Sequence, residues 1–410
     1  MHNIGRTLIC AALALSACAS TPPQTPALSA ERALHERLLV LDTHLDTPAL
    51  LSQPGFDITA RHDARLDNSS VDLPRMIEGG LDGGFWVIYT PQGPRTDVGH
   101  ANARDAALIR ATEIHEMLAA NADAFTLALK AEDVAPIAAT GKRISFISME
   151  NSYPLGHDLT LMETFYKLGV RMMGPVHFAN NELADSSTDP NGPEWGGLSP
   201  FGEEFVHEAN RLGVLLDGSH AADTTVRDML RLSATPIILS HTGVRALYDH
   251  PRNIDDDLLR ELAAHGGVIQ INAYGSYMAD LPPTPERDAA LAELEAQNIT
   301  DPAQLREARR RINEQYPRSY ATFETYMSQV LHALEIVGPD HVGFGADWDG
   351  GGGVEGMEDV AALPRITERL IAEGYSEEDL AKMWSGNILR LMRAVEDYAA
   401  AQSEETATLE

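Results

Sequence analysis

The sequence predicts an α/β fold, a closed (β/α)8 TIM barrel, from the alternation of its segments and from the positions of its polar residues. Eight short runs rich in β-branched and apolar residues alternate with helical patterns, which is typical of parallel β/α units. The runs are Leu38–Thr43, Gly84–Tyr89, Arg143–Met149, Val170–Val176, Gly213–Leu216, Pro236–Leu239, Gly267–Asn272 and His341–Gly345. Helical patterns lie between most of them, at Asn102–Ala120, Pro200–Leu212, Thr224–Leu232 and Asp255–His265.

A doubly wound open sheet would produce the same alternation, so the polar residues decide between the two folds. Seven of the eight runs end at or just before a residue that can bind metal or carry protons: His44, Glu150, His177, His220, His241, Tyr274 and Asp347. A barrel gathers all strand ends around one mouth, where barrel enzymes place their chemistry. An open sheet would spread them along an edge, so the pattern favours the barrel.

Composition sets the size of the domain and excludes one class of partner. The chain has 410 residues, of which 44% are hydrophobic and 22% charged, and a barrel with insertions reaches this length as one unit. We therefore predict one domain over residues 31–400 and a polar tail over 401–410. The formal net charge of -30 would repel a polyanion, so nucleic acid is excluded as a partner.

The first residues have the composition of a targeting segment. Arg6 precedes an apolar stretch that is too short to span a bilayer. The stretch ends in Leu15-Ser16-Ala17-Cys18, which resembles a bacterial lipobox, where the signal is removed before the cysteine and lipid is attached to it. We predict residues 1–17 as a lipoprotein signal peptide and Cys18 as the lipidation site. The alternative is an ordinary secretory signal cut after Ala19.

Cysteine usage and the following segment agree with export. Cys10 and Cys18 are the two cysteines of the chain, so removal of the signal leaves no pair that could form a disulfide. Residues 18–30 contain a cluster of prolines and are predicted to be a stiff tether. We expect an exported bacterial lipoprotein, held at a membrane by lipid on Cys18 and facing the periplasm or the cell exterior.

Two pairs of residues at strand ends have the chemistry of metal ligands. His44 and Asp46 are two positions apart, so their side chains point to the same side, and an imidazole with a carboxylate can bind one zinc ion. His220 and His241 each follow an apolar run, as ligands of a second metal would. Each histidine alone would more often be a hydrogen-bonded core side chain, but two in the same setting favour a metal site.

Glu150 completes the set. It follows an apolar run, where a buried carboxylate is costly unless it is paired or binds metal. Its two oxygens can each reach a different cation, so we predict that it bridges the two metals. The alternative is a buried ion pair with Arg143 or Arg171.

Together these segments resemble the membrane (renal) dipeptidase family, peptidase family M19, and its bacterial lipoprotein-type members. The matching segments run in order from about Leu41 to Val395. They are His44-Leu45-Asp46, Ser148-Met149-Glu150, the segments ending in Ser219-His220 and Ser240-His241, Arg252-Asn253-Ile254-Asp255-Asp256, Val342–Gly350, Gly197–Gly202 and Asn387–Arg390.

The resemblance implies an activity and a cofactor. Dipeptides with a free C-terminal carboxylate, and an L- or D-residue at the second position, would be hydrolysed by a hydroxide that bridges two zinc ions about 3.5–4 Å apart. The zinc ligands would be His44, Asp46, Glu150, His220 and His241. Other divalent metals remain open, and so does a homodimer.

The resemblance also implies roles for residues around the metals. Asp347 would carry the proton from the hydroxide to the leaving amine, and His177 would stabilise the oxyanion. Arg252 would pair with the substrate carboxylate, and Tyr274 would line the pocket.

Two features depart from the family, and two other functions stay open at this stage. Asn151 stands where the family usually has glycine, and residues 279–320 form a longer helical insertion between strands seven and eight. A deaminase or lactonase of the amidohydrolase type would usually have His-x-His on the first strand and often a bridging lysine, where this chain has Asp46 and Glu150. A lipoprotein that binds peptides without cleaving them would not need the five ligands.

Overall fold

The structure is a computed structural model that describes residues 28–409, so the predicted signal peptide, Cys18 and most of the tether lie outside the described residues. Within them, strands form at all eight predicted runs, with two further short strands. The strands are β1 (Leu41–Leu45), β2 (Gly83–Tyr89), β3 (Phe125–Leu127), β4 (Arg143–Glu150), β5 (Val170–Met173), β6 (Leu215–Leu216), β7 (Ile238–Val244), β8 (Asn253–Ile254), β9 (Val268–Ile271) and β10 (Val342–Phe344).

The strands close into the predicted barrel. They pair in parallel in the orders β1-β2-β4-β5-β6 and β10-β9-β7, while β3 lies beside β4 and β8 beside β7. Two parallel bridges join the two sets, Asp217 with Ile238 and Leu45 with Trp348. At the second seam, Asp46 N donates to Trp348 O over 2.8 Å. The predicted fold class is therefore confirmed.

Helices cover the outside of the barrel. They are α1 (Ala30–His35), α2 (Pro48–Leu51), α3 (Leu73–Gly79), α4 (Asp97–Ala120), α5 (Val134–Ala139), α6 (Thr160–Lys167), α7 (Pro200–Leu212), α8 (Asp223–Leu232), α9 (Asp256–Ala264), α10 (Pro285–Ala296), α11 (Pro302–Gln315), α12 (Phe323–Val337), α13 (Pro364–Ala372), α14 (Glu377–Ala381) and α15 (Asn387–Leu409). Residues 401–409 of the predicted polar tail thus continue α15. None of the described helices has the length and apolar character needed to cross a membrane.

The floor of the barrel is apolar. One buried cluster combines inward-facing side chains of the strands with residues of α15. Its members include Leu41, Phe85, Phe146, Met172, Leu215, Ile238, Val268, Ile388 and Met392. Because side chains alternate along a strand, Ile144, Phe146 and Glu150 share the inner face of β4. The same strand therefore supplies the floor and, at its carboxyl end, a carboxylate.

The insertion over residues 279–320 is helical, as predicted, and carries α10 and α11 between β9 and β10. It packs on the loop that follows β1 and α2. Arg306 Nη1 lies 2.5 Å from Asp67 Oδ2, and Arg309 Nη1 donates to Leu66 O over 3.1 Å. The insertion is thus fixed against the β1 side of the barrel mouth.

We predict that Phe146→Ala lowers the free energy of unfolding by about 3–5 kcal/mol, because it opens a cavity in the barrel floor. Phe146 is fully buried and stacks on Phe85 with ring centroids 4.9 Å apart. Urea-induced unfolding, followed by circular dichroism, measures the change. Phe146→Leu, which retains most of the apolar volume, should cost clearly less, and equal losses for the two variants would contradict this packing.

Candidate active site

The structure brings the predicted site residues together at the carboxyl ends of the strands. His44 lies in β1 and Asp46 directly after it, Glu150 is the last residue of β4, His177 and His220 follow β5 and β6, His241 lies in β7, Arg252 directly precedes β8, and Tyr274 and Asp347 follow β9 and β10. The side chains form three groups whose ligand atoms lie within 4.8 Å of one another. The groups are His44 with Glu150 and His241, Glu150 with His177 and His220, and His44 with Asp46 and Asp347.

The two carboxylate oxygens of Glu150 face different histidines. Oε2 lies 3.6 Å from His44 Nε2, while Oε1 lies 2.9 Å from His220 Nε2 and 3.4 Å from His241 Nε2. This division suits a carboxylate that gives one oxygen to each of two cations. The alternative ion pair is absent, because Arg143 donates to Leu81 O and approaches Asp82, while the guanidinium of Arg171 donates to backbone carbonyls.

His220 and His241 converge on one point. Their Nε2 atoms are 2.9 Å apart, and Nδ1 of His220 is buried without a hydrogen-bond partner. Burial lowers the pKa of His220 well below its usual value, with a further contribution from the charge of Arg252. Burial likewise lowers the pKa of His241 well below its usual value, with His44 adding to the effect. Both rings are therefore neutral near pH 7, which is the form that binds metal.

A chain of hydrogen bonds orients the ring of His241. Its Nδ1 lies 2.9 Å from Ser240 Oγ, which donates to Asp217 Oδ2, while Ser240 N and Ser219 N both donate to Asp217 Oδ1 over 2.9 Å. His241 N also donates to Ser219 Oγ. Outer partners of this kind fix the ring orientation of a ligand histidine, here with Nε2 directed at Glu150.

The group of His44, Asp46 and Asp347 lies at the ends of β1 and β10. His44 Nε2 lies 3.3 Å from Asp46 Oδ2, and neither ring nitrogen has a hydrogen-bond partner, although the side chain is 2% exposed. Burial opposes a charge on His44, but the carboxylates of Asp46 and Glu150 hold its pKa well above the usual value. Conversely, burial opposes ionisation of Glu150, but His177 and His44 hold its pKa well below the usual value. These unpartnered nitrogens and ionised carboxylates form a donor set that fits a divalent cation.

Asp347 belongs to the same group as His44 and Asp46. Burial raises its pKa well above the usual value, with His44 opposing this effect and Asp46 and Glu150 adding to it. Its Oδ2 lies 3.4 Å from Asn272 Nδ2, so it makes one weak side-chain contact. A buried carboxyl whose pKa is raised well above its usual value is suited to accept and return a proton.

His177 lies on the other side of Glu150, with Nε2 3.7 Å from Oε1. Its Nδ1 lies 3.5 Å from the hydroxyl of Tyr89, and its ring packs on Phe178 at a centroid distance of 3.8 Å. Burial lowers its pKa, Glu150 raises it, and Arg252 lowers it further, with a net decrease. The ring is therefore neutral near pH 7 and can present one N–H to a ligand.

Arg252 is buried in the wall of the site, next to the backbone of His241. It is 3% exposed, its Nη2 donates to His241 O over 3.0 Å, and its guanidinium lies 5.3 Å from the centroid of Tyr277. Its Nε is buried without a hydrogen-bond partner. Arg252 is thus a desolvated cation next to the histidines.

A cavity of about 330 Å³ opens above the clustered histidines and carboxylates, near the lower end of the range of about 300–1,000 Å³ for small-molecule sites. Tyr274 lines it, as predicted. Sequence reasoning did not assign the six other lining residues, Ala49, Tyr89, Phe178, Tyr277, Asp349 and Gly350. The sequence positions of two of them indicated in part that they line the cavity, because Tyr89 ends a predicted strand and Phe178 follows His177. Aromatic residues at such places are, however, common in any barrel.

Left-handed backbone occurs at several site residues. His220 and Asp347 have φ angles of 67° and 64°, which are unusual for residues other than glycine and recur at functional sites. Asn151 has a φ of 64°, and its Nδ2 donates to Thr90 O over 3.0 Å. Asparagine tolerates this conformation better than other side chains do, which explains how it replaces glycine directly after Glu150.

Comparison with known proteins agrees with this geometry. Residues 28–406 match the family model "Membrane dipeptidase (Peptidase family M19)". Dipeptidase tcpJ of Claviceps purpurea is 32% identical over 338 residues, which cover 81% of this chain and 71% of that protein. The probable dipeptidase PvdM of Pseudomonas aeruginosa superposes with a TM-score of 0.77 at 30% identity, covering 90% of this chain and 98% of that one.

A further related structure contains a bound dipeptide mimic. A metallopeptidase of Rhodobacter sphaeroides, liganded with a phosphinate mimic of the dipeptide L-Ala-D-Ala, matches with a TM-score of 0.70 at 26% identity, covering 87% of this chain and 99% of that one. The family model, the curated relative and the solved structures agree. The chain belongs to the membrane dipeptidase family, peptidase family M19, and is a metal-dependent dipeptidase.

Proposed function

We propose that this metallo-dipeptidase uses two zinc ions and acts on dipeptides that carry a free C-terminal carboxylate. The observation that carries the proposal is the division of the Glu150 oxygens between His44 on one side and His220 and His241 on the other. A site for one ion would not need a carboxylate between two separate sets of nitrogen donors.

The ligands of one ion would be His44, Asp46 and Glu150, and those of the other Glu150, His220 and His241. Imidazole and carboxylate donors suit zinc, although the same donors also bind other divalent metals. When bound, two such ions polarise a carbonyl and make water nucleophilic near neutral pH.

Three further residues would complete the chemistry. Asp347, whose raised pKa suits proton transfer, would take the proton of the attacking water and pass it to the leaving amine. His177 would donate a hydrogen bond to the oxyanion that develops on the scissile carbonyl. Arg252 would pair with the C-terminal carboxylate of the dipeptide.

Tolerance of a D-residue at the second position is part of the proposal. It is supported by the Rhodobacter sphaeroides relative, which is liganded with a mimic of L-Ala-D-Ala.

We also propose export as a lipoprotein, membrane-anchored through Cys18 and facing the periplasm or the cell exterior, on the basis of the sequence Leu15-Ser16-Ala17-Cys18.

Glu150→Gln should reduce bound metal from two ions per chain to one or none and lower kcat/KM at least about a hundredfold, because loss of an outer partner of a metal ligand already costs about 10–100-fold and a direct ligand should cost more. Metal content by mass spectrometry and hydrolysis of Ala-Ala measure both effects. Glu396→Gln is the matched control, since this half-buried carboxylate accepts from Ala131 N far from the site and glutamine retains an acceptor. Two ions and normal turnover in Glu150→Gln would contradict the bridge.

Arg252→Ala should lower kcat/KM for a free dipeptide roughly thirty- to several-thousand-fold, since loss of one partner of a desolvated charge pair costs about 2–5 kcal/mol at about 1.36 kcal/mol per decade. The C-terminal amide of the same dipeptide, already a poor substrate, should lose little. Arg260→Ala, an exposed arginine paired with Asp257, is the control. Equal proportional losses on dipeptide and amide would show that Arg252 does not bind the carboxylate.

Cys18→Ala should move the protein from the membrane fraction to the soluble fraction without a change in kcat/KM, because the anchor would be lipid on that side chain. Cys10→Ala, within the predicted signal peptide, should leave the protein in the membrane fraction. Fractionation after a salt wash is the measurement. A Cys18→Ala protein that stays with the membrane would contradict lipidation at this residue.

A further inference from the structure

A second and larger cavity, of about 700 Å³, adjoins the metal-binding cavity. The insertion supplies much of its wall, together with the loop at residues 64–70 and the glycine segment after β10. Asp349 and Gly350 line both cavities, so the two spaces share a boundary.

Glycines form this boundary because a side chain would not fit there. A Cβ at Gly350 would overlap Asp46 Oδ2 and Asp347 Oδ1, and a Cβ at Gly351 would overlap the ring of Tyr274. The backbone at Gly350 therefore packs directly on the carboxylates of Asp46 and Asp347. A substrate bound at these carboxylates has the larger cavity immediately beyond Gly350.

The larger cavity gathers positive charge on a strongly acidic protein. Four of its lining residues are arginines, Arg65, Arg287, Arg309 and Arg318, whereas the chain as a whole has 61 acidic residues against 31 lysines and arginines. Asp288 and Asp349 are the acidic residues of the lining. The cavity is thus a local positive region in a field that otherwise repels anions.

Three of these arginines lack an acidic partner within the described part of the chain. Arg287 Nη1 donates to Tyr316 O over 2.9 Å, and Arg309 Nη1 donates to Leu66 O. Arg318 is exposed and lies 5.3 Å from the centroid of Tyr320. Arg65, by contrast, pairs with Glu358 at 3.2 Å. Guanidinium groups whose donors are not taken up by carboxylates are suited to bind a carboxylate from outside.

We infer that this cavity is the subsite for an acidic side chain of the substrate, so that the enzyme prefers dipeptides with glutamate or aspartate at the first position. The inference rests on the proposed function, because it takes Arg252, beside β7, as the partner of the C-terminal carboxylate. The strand order β7-β9-β10-β1 places the ends of β10 and β1 two and three strands away from β7. A dipeptide whose carboxylate lies at Arg252 and whose scissile bond lies at the proposed metal ligands would extend its N-terminal residue toward Asp46 and Asp347. That is the side on which Gly350 and the arginine cavity lie.

The test compares kcat/KM of the metal-loaded protein for Glu-Ala, Gln-Ala, Ala-Glu and Ala-Gln. Glutamine is nearly isosteric with glutamate, so the Glu-Ala to Gln-Ala ratio isolates the charge. We expect a ratio of about ten or more, as one charge-assisted hydrogen bond produces, and a decrease of the ratio with added salt. Ala-Glu should show no comparable preference over Ala-Gln.

Two variants and one control locate the effect. The double variant Arg287→Gln, Arg318→Gln should bring the Glu-Ala to Gln-Ala ratio close to one. Arg318→Gln alone should lower it in part, and it keeps the test valid if the double variant does not fold, because Arg318 is exposed. Arg311→Gln, on the same insertion but paired with Glu307 away from the cavity, should leave the ratio unchanged.

The outcomes separate this inference from the proposed function. Similar rates on Glu-Ala and Gln-Ala would overturn the acidic subsite and leave the dipeptidase proposal intact. A preference for Ala-Glu would overturn the assignment to the first residue. Failure to hydrolyse any of these dipeptides would overturn the proposed substrate class and the inference with it.

Discussion

The barrel mouth holds the carboxylates of Asp46, Glu150 and Asp347 within a buried cluster of histidines, and such charges are costly to bury unless they are paired or bind cations. The cost is reduced in part within the cluster: Asp46 and Glu150 raise the pKa of His44, which favours its charged form, and burial raises the pKa of Asp347, which favours its neutral form. Divalent cations bound next to these carboxylates would reduce it further. Metal binding would then stabilise the barrel mouth, as in other proteins whose ligands must be deprotonated to bind.

Residues that contact no substrate hold this cluster in place. Asp42 Oδ1 accepts from His44 N over 2.8 Å, and its Oδ2 accepts from Ala346 N over 3.1 Å. Burial raises the pKa of Asp42 to about 7, an effect that these two hydrogen bonds oppose. The carboxylate thereby ties β1 to the end of β10, where the barrel closes. Asp217 does the same between the ends of β6 and β7, so both seams are fixed by a buried aspartate near a histidine that we propose as a metal ligand.

The sequence predicted the eight strands and the convergence of the site residues, because strand periodicity and the barrel rule act on residues close to strand ends. It could not predict β3 and β8, which have three and two residues and pair only in the context of β4 and β7. Nor could it place Arg252, since the burial of a loop residue depends on the packing of Tyr277 and of the His241 backbone. The lining by Tyr89 and Tyr277 likewise follows from tertiary packing and from no local pattern.

The segment after β10 links the chemistry to selectivity. Asp347 faces the proposed metal ligands, while Asp349 accepts from Thr47 Oγ1 and Ser70 N and so fixes the segment to the loops after β1. The glycines that follow keep the boundary to the arginine cavity thin enough for a substrate to contact both sides. The outer wall of that cavity belongs to the insertion, which supplies none of the proposed metal ligands. Substitutions in the insertion can therefore change which side chain is accepted while the metal-binding residues stay in place.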